Sequence, residues 1–208
     1  MERDIFFPCG DLRLQGRLSL PEQPAGGVVI CHPHPLYGGS MDNNVVIALA
    51  EHLRAAGQAT LRFNFRGVGR SGGIHAGGRG ETADAAAALA FLASEIGVSD
   101  VALAGYSFGA AVALASASHD LVSCVVAVAP PLAMMGELPA PSLAKPVLLL
   151  AGDRDPYCRL GDFEQLSRAL PALSQTVVVS GADHFLIGHE EEVGRAAATF
   201  VCPPQAGS

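Results

Sequence analysis

A serine hydroxyl is a weak nucleophile until a base takes its proton, and the base in turn needs an acid to orient it. This chain carries candidates for all three in that order. Gly105-Tyr106-Ser107-Phe108-Gly109 is a G-x-S-x-G. Downstream, PVLLLAGDRDPYC places Asp153 and Asp155 just past an apolar run, and TVVVSGADHFLIG places His184 just past the next one. Asp155 is two residues further from its apolar run than Asp153, so it has the reach to meet an imidazole from the adjacent loop. Asp153 is expected to cap its local turn. Asp183 adjoins His184, but neighbouring side chains diverge, so it reads as a turn residue.

These residues are useful only if a scaffold delivers them to one place. Leu12 to Leu20 (LRLQGRLSL) alternates apolar and polar positions as a half-buried strand does, and DIFFP before it pairs with it as a hairpin across Cys9-Gly10-Asp11. After PEQPAGG, short all-apolar runs alternate with helical patterns: VVICH, then 43–56; TLRFNF, then 82–96; VALAG, then 108–118; VSCVVAVA; PVLLLAG, then 162–170; TVVVS, then 190–200. Strands buried on both faces and separated by helices predict a mostly parallel α/β sheet with helices on both faces and an antiparallel N-terminal hairpin. In that frame GYSFG lies between a strand and a helix, the setting in which a serine is lifted above a sheet on a sharp turn. Phe108 then opens a helix, where its backbone N–H and the helix dipole can stabilise an oxyanion. The segment 130–145, PPLAMMGELPAPSLAK, occupies the place of a cap but is too short to be one. The site is therefore expected to be shallow and open, favouring small or flexible acyl groups.

Two further patterns invite other chemistries. Val28 to Gly39, VVICHPHPLYGG, sets His32 and His34 one residue apart, and an HxH pair suggests a metal, with Asp42 or His184 as further ligands. HxH alone is a weak signal, and no acid follows within seven residues of the pair. Gly67-Val68-Gly69-Arg70-Ser71-Gly72 spells G-x-G-x-x-G after a strand, the spacing of a dinucleotide fingerprint. A fingerprint opens directly into a helix, whereas GIHAGGRGE intervenes here, so Arg66 and Arg70 are expected to order this loop instead. His52, His75, His119 and His189 read as surface or helix-end histidines. A third reading keeps the fold and denies the activity: a binding protein on the same α/β frame. Ser107, Asp155 and His184 in order argue against it.

Composition narrows the rest. The chain has 208 residues, half of them apolar and 16% charged, enough for one domain spanning 1–208 with a large core and a tail that frays after about residue 202. A net charge of −7 with only 13 scattered Lys and Arg is the wrong balance for a nucleic-acid surface. No apolar stretch approaches the roughly twenty residues of a membrane span, and MERDIFFPCG lacks the apolar segment of a secretory signal. The expectation is a soluble, cytoplasmic protein without membrane partners. Its five cysteines are scattered without CxxC pairs, which points to free thiols; Cys158, near the acidic loop, is the one to watch.

GYSFG, GDRDP, GADHF and FNFRGVGRSGG together resemble the α/β-hydrolase superfamily over nearly the whole chain. HPHPLYGGSMDN and the short length resemble its small, lidless branch, similar to dienelactone-hydrolase-like and carboxylesterase-like proteins. Known dienelactone hydrolases use a cysteine nucleophile where this chain has Ser107. The resemblance implies a serine esterase or thioesterase without cofactor or metal, acting on a small-molecule ester through Ser107, His184 and Asp155; relatives of this size often pair as homodimers. It further implies that HPH stands where such hydrolases carry an HG-x turn that supplies the second oxyanion N–H. His34 is then the donor, flanked by Pro33 and Pro35, which have no N–H and restrict its backbone. Leu36 N–H is the fallback, and Leu36, Tyr37 and Tyr106 are the expected substrate-binding residues.

Overall fold

The structure, a computed structural model, describes residues 2–135 and 144–203. Part of the expected connection at 130–145 and the tail past residue 203 lie outside the described residues. Eight strands form one sheet: β1 Glu2–Cys9, β2 Leu12–Ser19, β3 Gly27–Cys31, β4 Ala59–Phe63, β5 Val101–Tyr106, β6 Val122–Val128, β7 Val147–Gly152 and β8 Gln175–Val179. They run in the order β1-β2-β4-β3-β5-β6-β7-β8. β1 pairs antiparallel with β2, and β2 antiparallel with β4; all later pairings are parallel. The hairpin turns at Gly10, whose φ of 56° lies in the left-handed region that glycine enters without a Cβ penalty.

The helices are α1 Asn44–Ala55, α2 Arg79–Ile96, α3 Phe108–Ala115, α4 Leu160–Arg168 and α5 Glu190–Val201. They divide between the two faces of the sheet because each buries an apolar stripe against it. On one face Ala88, Leu89 and Leu92 of α2, Ala110 and Val112 of α3, and Phe163 and Leu166 of α4 pack on Leu61, Leu103 and Leu149. On the other, Val45, Leu49 and Leu53 of α1 and Val193 and Ala197 of α5 pack on Ile30, Ala104 and Leu150. The central strands β3, β4, β5 and β7 are buried along their whole length. That is why they read as unbroken apolar runs rather than alternating ones.

From β3 the chain winds one way, through α1 to β4, and then crosses back through α2 to β5 on the other side of β3. Such a reversal opens a crevice beyond the carboxyl ends of the two strands, where ligands bind in open α/β sheets. The loops after β3, β5, β7 and β8 all emerge at that edge.

Candidate active site

Ser107 sits between the last residue of β5 and the first of α3 with φ 53° and ψ −118°, a strained conformation for a side chain with a Cβ. Its backbone N–H donates to Val128 O at the end of β6, 2.9 Å away, which pins the turn to the neighbouring strand. The flanking glycines are required by contact: a Cβ on Gly105 would meet the Gly109 carbonyl, and one on Gly109 would meet the carbonyls of Cys31 and His32. Their absence lets α3 pack directly over the end of β3, which brings Phe108, at the helix N-terminus, next to the HPH segment.

Ser107 Oγ lies 2.9 Å from His184 Nε2, and His184 Nδ1 lies 2.8 Å from Asp155 Oδ2. A carboxylate only accepts, so Nδ1 carries the imidazole proton and Nε2 is left to accept from the serine hydroxyl. Asp155 is held by its other oxygen, Oδ1, which accepts the backbone N–H of Tyr157 (2.8 Å) and of Cys158 (2.9 Å). Asp153 does not face the histidine. It accepts from Gly181 N–H (2.8 Å) and Ser180 Oγ (3.3 Å), tying the loop after β7 to the loop after β8 that carries His184. Asp183 accepts Phe185 N–H at 2.9 Å and closes a local turn. The Tyr157 ring stands edge-on to the His184 imidazole, with centroids 4.8 Å apart.

His32 is fully buried, and both its ring nitrogens are engaged. Phe65 N–H, which only donates, meets Nε2 at 3.0 Å, so the proton is on Nδ1, which donates to Pro33 O at 2.6 Å. Burial pushes the His32 imidazolium down to about 4, so the ring is neutral at neutral pH. With no nitrogen left for a metal, His32 drops out of the expected HxH pair. Its ring does something else: in a trans peptide the C=O and the following N–H point in opposite directions. Holding the Pro33 carbonyl inward turns the His34 N–H outward, on the side where Pro33 and His34 line a cleft with Ser107. Among the described residues neither the His34 nor the Phe108 amide donates to another group. The Leu36 amide, the fallback donor, is taken by His34 Nδ1 at 3.2 Å.

The cleft has a volume of about 1010 Å³, at the upper end for small-molecule sites and larger than the shallow depression expected. Small residues on the exposed side of α3, Ala111 and Ala115, leave room between the start of α2 (Arg79, Thr82) and Met134 and Met135. Of the expected substrate-binding residues, Tyr37 lines the cleft and is 83% exposed. Leu36 does not belong to that lining; it points outward, 71% exposed, because its backbone is turned by the His34 ring. Tyr106 borders the cleft but is only 3% exposed, and its hydroxyl donates to the His184 carbonyl at 2.8 Å, so it braces the loop that carries His184 and does not present its hydroxyl to the cleft.

The G-x-G-x-x-G loop is organised as Arg66 suggested: Arg66 Nη2 and Nε contact the buried Asp84 at 2.7 and 3.1 Å. Arg70 departs from the expectation; its guanidinium lies over the Phe6 ring, 4.8 Å from the centroid. His52 and His119 contact backbone of their own segments, and His189 stands at the N-terminal boundary of α5 without a side-chain hydrogen bond to the helix. His75 is not the surface histidine its sequence setting suggests: its side chain is 15% exposed and packs against His34. Cys158 is buried and its thiol is pushed up to about 12, which leaves it inert as a nucleophile. No described helix is long and apolar enough to cross a membrane.

Residues 28–143 match a family described as alpha/beta hydrolase fold, and residues 110–206 match one described as TAP-like protein. An uncharacterized protein of Rickettsia prowazekii is 31% identical over 95% of this chain and 87% of its own length. An alpha-beta serine hydrolase homologue from Coxiella burnetii superimposes with a TM-score of 0.85 at 33% identity, over 94% of this chain and 95% of its own. An a/b serine hydrolase without lid from Xanthomonas campestris does so with a TM-score of 0.81 at 29% identity, over 95% and 92%.

Proposed function

The chain belongs to the alpha/beta hydrolase family, and from that premise we propose that it is a serine hydrolase cleaving small esters, and thioesters by the same steps, through an acyl-enzyme on Ser107. The observation that carries this reading is the unbroken chain Asp155–His184–Ser107, with separations of 2.8 and 2.9 Å, ending on a serine in a strained turn at the mouth of a cleft. The serine hydrolases without a lid that it resembles point the same way.

In this mechanism Ser107 Oγ attacks the ester carbonyl carbon while its proton passes to His184 Nε2. Asp155 holds the imidazolium by its Nδ1–H. The charge that develops on the carbonyl oxygen meets the backbone N–H groups of His34 and Phe108, donors fixed before reaction and therefore cheap to use in the transition state. His184 returns the proton to the departing alcohol, or to the thiol of a thioester. Water then enters, His184 takes its proton, and a second tetrahedral intermediate collapses to release the acid and restore Ser107. No metal enters these steps, so chelator and added zinc leave the rate unchanged.

A p-nitrophenyl ester panel tests the reading. Turnover of short and medium esters by the wild type, reduced about 10³-fold or more in Ser107→Ala, is the expected result. Equal rates in the two proteins would overturn it.

A further inference from the structure

We propose that His75 is a positioning residue for the oxyanion hole, a ring wedged between the buried Glu81 carboxylate and the rings of the two residues that supply its amides, His34 and Phe108. This rests on the reading of those amides given above.

Three observations carry it. First, Glu81 is fully buried in the first turn of α2 and accepts the backbone N–H of Ala76 (2.9 Å) and of Gly78 (2.7 Å). It thereby fixes the end of the glycine-rich loop, Ala76 to Gly78, just ahead of its own helix, with His75 immediately before the fixed stretch. Second, His75 Nδ1 lies 2.9 Å from Glu81 Oε1, out of line for a hydrogen bond and without another partner among the described residues. A buried ring nitrogen is rarely left like that unless something else decides where the ring sits. Third, that something is a cluster of rings: His75 to His34 is 4.9 Å between centroids, His75 to Phe108 is 5.6 Å, and His34 to Phe108 is 4.8 Å. The rings are mutually tilted or edge-on, arrangements aromatic groups prefer.

The consequence follows from covalent geometry. His34 and Phe108 belong to different loops, after β3 and after β5; the close backbone contact of Gly109 with Cys31 and His32 brings the two loops together, and the rings add a side-chain restraint on how their N–H groups converge. Their side chains touch, but a pair of rings can slide; a third ring closing the triangle, on a residue whose neighbour Ala76 is tied to α2 by Glu81, leaves little freedom for either. The Tyr37 ring also packs on His34, 4.8 Å away between centroids. His75 itself touches no reacting atom in this scheme, so its effect should fall on transition-state stabilisation and not on ground-state binding.

The test compares His75→Ala, His75→Leu and His75→Phe with the wild type on a p-nitrophenyl ester, together with inhibition by a trifluoromethyl ketone, whose adduct with serine carries an oxyanion. His75→Ala should lower kcat about tenfold or more with KM within about twofold, and weaken the trifluoromethyl ketone by the same factor. His75→Leu fills the space without a flat ring, guarding against a loop that loosens in the alanine variant; it should lose as much. His75→Phe restores the ring and should recover kcat to within about threefold. A kcat within twofold of wild type in the alanine and leucine variants, a loss confined to KM, or a phenylalanine variant as impaired as alanine would overturn the inference. Failure of the wild type to turn over any ester would sink the hydrolase reading first, and the wedge with it.

Discussion

Replacing His32 by asparagine tests the electrostatics behind the cleft, because the buried ring is neutral only above the pH at which the folded protein is forced to accept a proton there. Burial sets that value at about 4, against 6.5 for an exposed imidazole. The sign follows from linkage. Between the two values the unfolded chain binds a proton that the folded chain refuses, so stability falls as the pH is lowered through this window and the loss is complete below about 4. At about 1.4 kcal/mol per pH unit between the two values, the full loss is about 3 kcal/mol, a large share of the stability of an ordinary domain. Asparagine cannot titrate and keeps an amide donor for the Pro33 carbonyl. It leaves Phe65 N–H without its partner, at a cost of about 1–3 kcal/mol at every pH. Urea unfolding at pH 7, 5.5 and 4 should show the wild type losing about 3 kcal/mol more than His32→Asn across the range. Parallel losses would mean that the ring is not held neutral by the fold, and would contradict the pairing in which Nε2 accepts the Phe65 N–H.

Asp155→Asn should leave the fold intact, because its side-chain oxygen can still accept from Tyr157 and Cys158. It should lower kcat about 10³–10⁴-fold by favouring the wrong tautomer of His184; steady-state ester hydrolysis checks this. Tyr106→Phe removes the donor to the His184 carbonyl. Thermal unfolding should report a loss of about 1 kcal/mol or more, and kcat should fall several-fold while Ser107 remains open to labelling.

The order of the proposed catalytic groups was legible because each follows an apolar run, Ser107 directly after β5, Asp155 three residues after β7 and His184 five after β8, and a parallel sheet gathers all such ends at one edge. Asp155 could be separated from Asp153 by reach alone. The start of α2 was harder: helical periodicity begins near Thr82, yet the helix starts at Arg79, because Glu81 folds back to take the Gly78 N–H and draws one more turn out of a glycine-rich loop. A glycine three residues before a glutamate was the signal available. α3 stops at Ala115 rather than Ser118, its last amides bonded in tighter turns. The roles of His32, Tyr106 and His75 were not legible, since each depends on a partner brought in by a different loop: Phe65, His184 and His34 stand 33, 78 and 41 residues away in sequence. No periodicity marks such a pair. The prolines around His34 were readable as constraints on its backbone, but the direction of its N–H is set by a neighbouring side chain that looked like a metal ligand.

The most direct test of the central claim is intact-protein and peptide mass spectrometry after exposure to a fluorophosphonate, with and without chelator. The account predicts one adduct per chain, located on Ser107, formed equally fast with chelator present, abolished in Ser107→Ala and strongly slowed in His184→Ala. An unmodified Ser107, or labelling that survives its replacement, would contradict it.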